Sequence, residues 1–223
     1  EKHNPSCEMM PYYGSFNTSK KILNQINWTK EKKDEAWKEI VKLKITNQAM
    51  LLKKLEINGY EKLLEYVNQV RSGDVTNREG HAAKVYFNLL YGMDFIRGRS
   101  DNTNVALDYG YSILLSVLNR EVVSKGYITP IGINHKSEFN QFNLSCDLME
   151  VFRALIDEVV YKNREFAFDK NYKYKLINVM NQTVTIGDKE QYVSNAIPIF
   201  ISSVFDFLEK EKDKESKIIN YEF

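Results

Sequence analysis

From residue 18 onward the chain reads as stretches of helical periodicity cut by Gly, Asn and Pro. Thr29 offers an N-cap with Lys32 at the third helical position. Trp37, Ile40, Val41, Lys44, Ile45 and Leu52 then roughly keep helical spacing, until Asn58-Gly59 supplies a stop. "YEKLLEYVNQVR" (60–71) predicts a shorter helix ended by Ser72-Gly73. The stretch 73–92 opens on three capping residues, Asp74, Thr76 and Asn77, and its apolar positions 82, 83, 86, 87 and 90 fit a helix. A polar loop over 93–102 holds Arg97 and Arg99. Residues 104–126 are apolar nearly all round, as a central helix of a bundle would be, and Gly126 ends them. A loop with Pro130, Gly132 and His135 covers 127–137, and further helices are predicted over 142–162, 171–180 and 190–214.

Strand alternation is not sustained anywhere; "NQTVTIG" (181–187) is the one short strand candidate. Residues 1–17, with Pro5, Pro11 and Gly14, read as loop or residual strand, and "EKEKDKESK" near the other end as a solvated helix end or tail. The expectation is an all-α fold: a multi-helix lobe over 18–223 behind a short strand or loop segment at 1–17. Because the chain opens at Glu1 in an extended-looking stretch, an N-terminal part preceding it is expected.

Composition narrows the function classes. A hydrophobic content of 43% over 223 residues supports a sizeable core. Net charge is +1, so any nucleic-acid contact must come from a local basic patch and not from a polycation. Cys7 and Cys146 fit no zinc spacing, and Cys146 sits in a helical pattern, which points to a reducing, cytoplasmic setting. No signal peptide is visible, and no apolar run reaches the ~18 residues of a membrane span.

The chemistry concentrates in "GINHKSEFNQFNLSCDLMEVF" (132–152). On the helix predicted there, Leu144, Leu148, Val151, Phe152, Leu155 and Val159 share one face. Asp147, Glu150 and Asp157 fall on the opposite side with Arg153 at their edge, and are expected to face solvent or a cleft. Ordinary surface polarity would produce that pattern. Against it, Asp147 and Glu150 are like charges one turn apart, and His135 lies just upstream in a loop able to fold over the same turn.

Glu79 opens the 77–92 helix, where complementing the macrodipole is an adequate role for it alone. The small residues after it, Gly80, Ala82 and Ala83, keep that surface low. A set of two or three carboxylates and one imidazole suits Mg2+ or Mn2+ with open water positions better than a closed zinc site. Di-iron bundles need Glu-x-x-His pairs, and "REGH" lacks that spacing. His81 reads as a packing or surface residue, and no motif recruits His3.

Three blocks carry a resemblance: "NREGHAAKVYFNLLYG", "NVALDYGYSILLS" and "GINHKSEFNQFNLSCDLMEVFRALID", in order over about residues 76 to 160. Together they resemble the CRISPR-associated integrase of spacer acquisition, the Cas-one family, and are most similar to its type II-A branch. The opening "EKHNPSCEMMPYYGSF" resembles the segment joining that family's N-terminal β domain to its helical domain. The β domain supports dimerisation in the family; the resemblance implies that most of it is missing from this stretch, so that the stretch alone is not expected to dimerise while the intact protein is expected to be a homodimer.

The resemblance implies metal ligands at Glu79, His135 and Glu150, with Asp147 as a further catalytic acid held behind them or in place of one. It makes Asn104 and "DYGY" structural. It implies metal-assisted joining of the 3′-hydroxyl of a short DNA to a phosphodiester of the CRISPR array, with double-stranded DNA and the small Cas-two protein as partners. Type II-A relatives also work with the effector nuclease and a ring-forming DNA-binding protein. If His135 ligates through a neutral nitrogen, activity falls below about pH 6.5. Arg78, Lys84, Arg97, Arg99, Arg120, Lys136 and Arg153 lie near or between the motifs and are candidates to contact DNA phosphates. The rival readings are a non-catalytic helical scaffold that binds DNA passively and, more weakly, a hydrolase of small substrates, which the lack of a P-loop disfavours.

Overall fold

The computed structural model describes residue 7, residues 17–209 and residues 217–223. Most of the predicted strand or loop segment at 1–17, His3 and most of the polar tail lie outside these residues. Among them the chain forms α1 (Thr18–Ile26), α2 (Lys30–Lys54), α3 (Glu61–Val67), α4 (Arg78–Tyr91), α5 (Asn102–Ser124), α6 (Asn143–Met149), α7 (Arg153–Asn163), α8 (Lys170–Ile177) and α9 (Val193–Glu209). A small antiparallel sheet, in the order β2-β1-β3, joins β1 (Thr183–Ile186), β2 (Lys189–Tyr192) and β3 (Tyr221–Glu222). The fold is the expected helical lobe, and "NQTVTIG" contains a strand as read.

Two long helices organise the lobe. α2 packs on α3, α4, α7 and α9, while α5 packs on α6, α7, α8 and α9. Between them runs the 143–163 rod, in which a 3₁₀ turn at Glu150–Phe152 links α6 to α7 with right-handed helical backbone throughout. The expected single helix over 142–162 is therefore continuous in direction but tightened at its middle.

Close approach of these layers sets one glycine. A Cβ on Gly110 of α5 would stand 2.3 Å from Ile156 Cγ2 of α7, so only glycine permits this crossing. Gly110 is the glycine of "DYGY".

Candidate metal centre

Glu79 is placed by the start of α4. Asp74, buried and at φ 47°, accepts the backbone N–H of Arg78 (2.8 Å) and of Glu79 (2.9 Å). Asn77 caps the same turn by accepting the Gly80 N–H at 3.3 Å. Two of the three capping residues read from the sequence thus fix the first turn. Glu79 then reaches across to α2, where its Oε1 lies 2.6 Å from Lys44 Nζ.

The acids of the 143–163 rod do not face solvent. Asp147, Glu150 and Asp157 are all buried, which corrects the expectation drawn from periodicity. Periodicity separates the apolar side from the acidic side, but α2 and α5 both pack on this rod, and the loop before it closes over Asp147. Burial of a charge requires a partner, and each acid has a different one.

Asp147 organises the histidine loop. Its Oδ2 accepts the N–H of Ile133 (2.6 Å) and Asn134 (3.0 Å), and its Oδ1 accepts the N–H of His135 (3.1 Å). The same Oδ1 lies 2.6 Å from His135 Nδ1. Gly132 makes this closure possible, because a Cβ there would stand 2.8 Å from Asp147 Oδ2 and 2.5 Å from the His135 carbonyl. Buried Asn143 ties the loop's two ends by donating to the carbonyls of Pro130 (3.0 Å) and Ser137 (2.9 Å). Gln25 of α1 holds the loop's start through Ile128 and Ile131. The His135 ring rests edge-on against Trp37, with centroids 5.9 Å apart. Asp147 is therefore the residue that orients His135 through Nδ1, leaving Nε2 as the ring's open nitrogen. Its hydrogen bond to Asp147 pushes the His135 pKa up, against the burial that lowers it, and the nearby Glu150 and Glu79 charges add to the rise.

Glu150 lies between two cations. Arg153 Nη2 contacts its Oε1 at 2.8 Å, and Lys44 Nζ stands 2.5 Å from its Oε2. Lys44 thus joins Oε2 of Glu150 to Oε1 of Glu79. Burial would raise the Glu150 pKa, but Arg153 and Lys44 override it and bring it down to about 2. For Lys44 burial acts the opposite way, and the Glu150 and Glu79 charges still carry its pKa above the ordinary lysine value. The Arg153 guanidinium also covers the Tyr111 ring, 4.5 Å from its centroid.

The structure thus brings Glu79 and Glu150 onto one positively charged point. That point is the Lys44 ammonium, which sequence reading passed over. Lys44 sits in the core-facing stripe of α2 at 7% exposure. A lysine within an apolar helical stripe was the available signal, because such a residue must meet acids. Among the described residues no three His, Cys, Asp or Glu side chains stand close enough together to hold a metal ion as they are. The donor types nonetheless suit a hard divalent cation: two carboxylates share one cationic position.

The candidate DNA-contacting residues divide. Arg153 is committed to Glu150, and Arg97 pairs with Asp108 at 2.7 Å. Arg78 covers the Tyr66 ring at 5.8 Å, Arg120 pairs with its neighbour Glu121, and Arg99 donates to the Asp94 carbonyl. Lys84 and Lys136 are exposed, and among the described residues neither forms an ion pair. His81 is exposed beside Tyr66, as a surface residue.

The mostly helical lobe thus carries a buried polar centre in which two carboxylates from separate elements meet one ammonium. The family model for CRISPR associated protein Cas1 matches residues 4–179, and the chain belongs to that family. A CRISPR-associated endonuclease Cas1 of Neisseria meningitidis serogroup C (strain 8013) is 35% identical over 162 residues, covering 72% of this chain and 53% of the relative. One of Francisella tularensis subsp. novicida (strain U112) is 31% identical over 153 residues, covering 61% and 48%. The chain spans about half the length of these curated relatives. Among solved structures, a casposase bound to integration product superposes with a TM-score of 0.78 at 21% identity, over 96% of this chain and 71% of the other. A partial Cas6-RT-Cas1–Cas2 complex gives 0.71 at 19%, over 93% and 77%. These two likenesses are of fold. No helix among the described residues is long and apolar enough to cross a membrane.

Proposed function

We propose that this chain is the catalytic lobe of a metal-dependent DNA integrase and endonuclease of CRISPR spacer acquisition. The observation that carries the reading is the meeting of Glu79 and Glu150, from separate elements, on one cationic position, with His135 oriented by Asp147. Glu79, Glu150 and His135 Nε2 would hold Mg2+ or Mn2+, while Asp147 fixes the imidazole through Nδ1. A bound divalent cation supplies Lewis-acid stabilisation of charge on the attacked phosphate and eases deprotonation of the incoming hydroxyl. In the reaction a 3′-oxygen of a short DNA forms a new bond to a phosphorus of the array, and the bond to another 3′-oxygen breaks, which departs as a hydroxyl.

Family membership supports the reaction class, and the names of the relatives support both an endonuclease and a Cas2 partner. Double-stranded DNA as substrate follows from the same reading, as does dimerisation of the intact protein. The type II-A assignment rests on the three sequence blocks. Lys84 and Lys136, exposed and without ion pairs among the described residues, are the basic side chains best free to meet phosphates.

The test is joining of a short DNA duplex to a supercoiled plasmid carrying a leader and repeat, in the intact protein with its Cas2 partner and Mn2+. Glu79→Gln, Glu150→Gln and His135→Ala should each abolish joining, and full activity in any of them refutes the assignment. The scaffold reading has one observation of its own: Lys44 and Arg153 together already neutralise the two carboxylates. It requires DNA retention with no joining or nicking by the unaltered protein.

A further inference from the structure

We propose that the Lys44 ammonium is a built-in stand-in for the metal ion, so that a divalent cation enters only by displacing it from between Glu79 and Glu150. This inference rests on the metal-site reading above and assigns a role to a residue that none of the family motifs includes.

Lys44 reaches the centre from α2, while its two partners come from α4 and from the turn joining α6 to α7. Its Nζ stands 2.6 Å from Glu79 Oε1 and 2.5 Å from Glu150 Oε2. Those oxygens are the ones a cation between the two carboxylates would use. An ammonium and a divalent ion repel strongly at such separations in a buried setting, so they exclude one another from the same position.

Two features make the exchange physically available. Glu150 Oε2 is held by Lys44 while its Oε1 is held by Arg153, so a divalent cation can take the Oε2 position without disturbing the Arg153 pair. Glu79 is 30% exposed, which opens one side of the centre to water, and the flexible lysine stem can carry its charge out that way. Arg153 stays on the other oxygen of Glu150 and keeps that carboxylate ionised and in place. The lysine therefore prevents two carboxylates from facing each other uncompensated before metal arrives, at the expense of metal affinity.

Calorimetric titration of the full chain with MnCl2, without DNA, tests this in the unaltered protein, Lys44→Met and Glu79→Gln. Removing the competitor should tighten Mn2+ binding at least about tenfold, whereas a lysine needed only for structure would leave binding unchanged or weaken it. Equal or weaker binding by Lys44→Met, with binding lost in Glu79→Gln, overturns the role of Lys44 and leaves the metal site standing. Absence of saturable Mn2+ binding in both the unaltered protein and Lys44→Met sinks the site reading itself.

A second measurement needs no variant. Lysine acetylation read by mass spectrometry should show Lys44 protected without metal and at least about threefold more reactive in Mn2+, with exposed Lys84 as the unchanged control. Unchanged protection of Lys44 at Mn2+ concentrations that saturate the protein overturns the proposal.

Discussion

Glu150 and Asp157 stand about two helical turns apart on one rod, and both are buried. Their proton affinities are nonetheless driven in opposite directions. Arg153 and Lys44 hold Glu150 down to about 2 against its burial. Asp157 forms no ion pair among the described residues; it accepts the hydroxyls of Tyr111 (2.5 Å) and Tyr86 (2.8 Å), and burial outweighs these and the charges of Arg153 and Arg97, carrying it up to about 6. Neutral phenols satisfy lone pairs without supplying charge, so desolvation wins at one position and Coulomb attraction wins at the other. The difference separates two tasks. Asp157 ties α4 and α5 to α7 through two tyrosines. Glu150 is kept fully charged where a cation can be held.

The largest break in this contrast should come from Glu150→Ala, which leaves half-buried Arg153 without its carboxylate and buried Lys44 with Glu79 alone. Urea denaturation should show a loss of about 3–5 kcal/mol, well above the loss from Asp157→Asn, and an equal loss in both variants would erase the distinction.

Next comes pH. Asp157 has a folded pKa of about 6 against an ordinary 3.8, so the folded state binds the extra proton. Stability should therefore fall by about 3 kcal/mol as pH rises from about 4 through 6, and flatten above. Glu150 has the opposite sign: its contribution is present above its ordinary 4.5 and is lost as pH falls toward 2. Urea midpoints between pH 4 and 6 should thus lose their slope in Asp157→Asn and keep it in Glu150→Gln.

Gly110→Ala tests the packing that separates the two acids. A Cβ 2.3 Å from Ile156 Cγ2 forces α5 and α7 apart, and a loss of about 2 kcal/mol is expected by thermal or urea unfolding.

The smallest effect concerns His135. Its raised pKa means that it is protonated at a higher pH than a free histidine, so strand joining should fail on the acid side starting above about pH 6.5 and not below it. Asp147→Asn should move that limb toward acid, and an unmoved limb would remove Asp147 from the control of His135. The stability sign is the reverse: the His135 contribution is present below 6.5 and lost as pH rises through the raised value.

Much of the lobe was legible because its signals are local. Thr29 caps α2 by accepting the Lys32 N–H, Asp74 and Asn77 start α4, and the 127–137 loop falls between α5 and α6 as read. α1 escaped because no side chain caps its start: Asn17 ends in a left-handed conformation without a capping bond. β2 and β3 escaped because "KEQY" has no apolar alternation and a two-residue strand has none to show.

By itself, then, the sequence determined the helical periods, most of the stops, and the order of the Glu79, His135 and Glu150 blocks, since backbone capping, period and motif spacing are properties of neighbours along the chain. Only the tertiary structure decided that the acids of the 143–163 rod are buried and that Lys44 is the group between Glu79 and Glu150. A helical period says which residues share a side, but the number of helices packed against that side, and so the charge each acid must meet, is set by contacts between segments far apart in the chain.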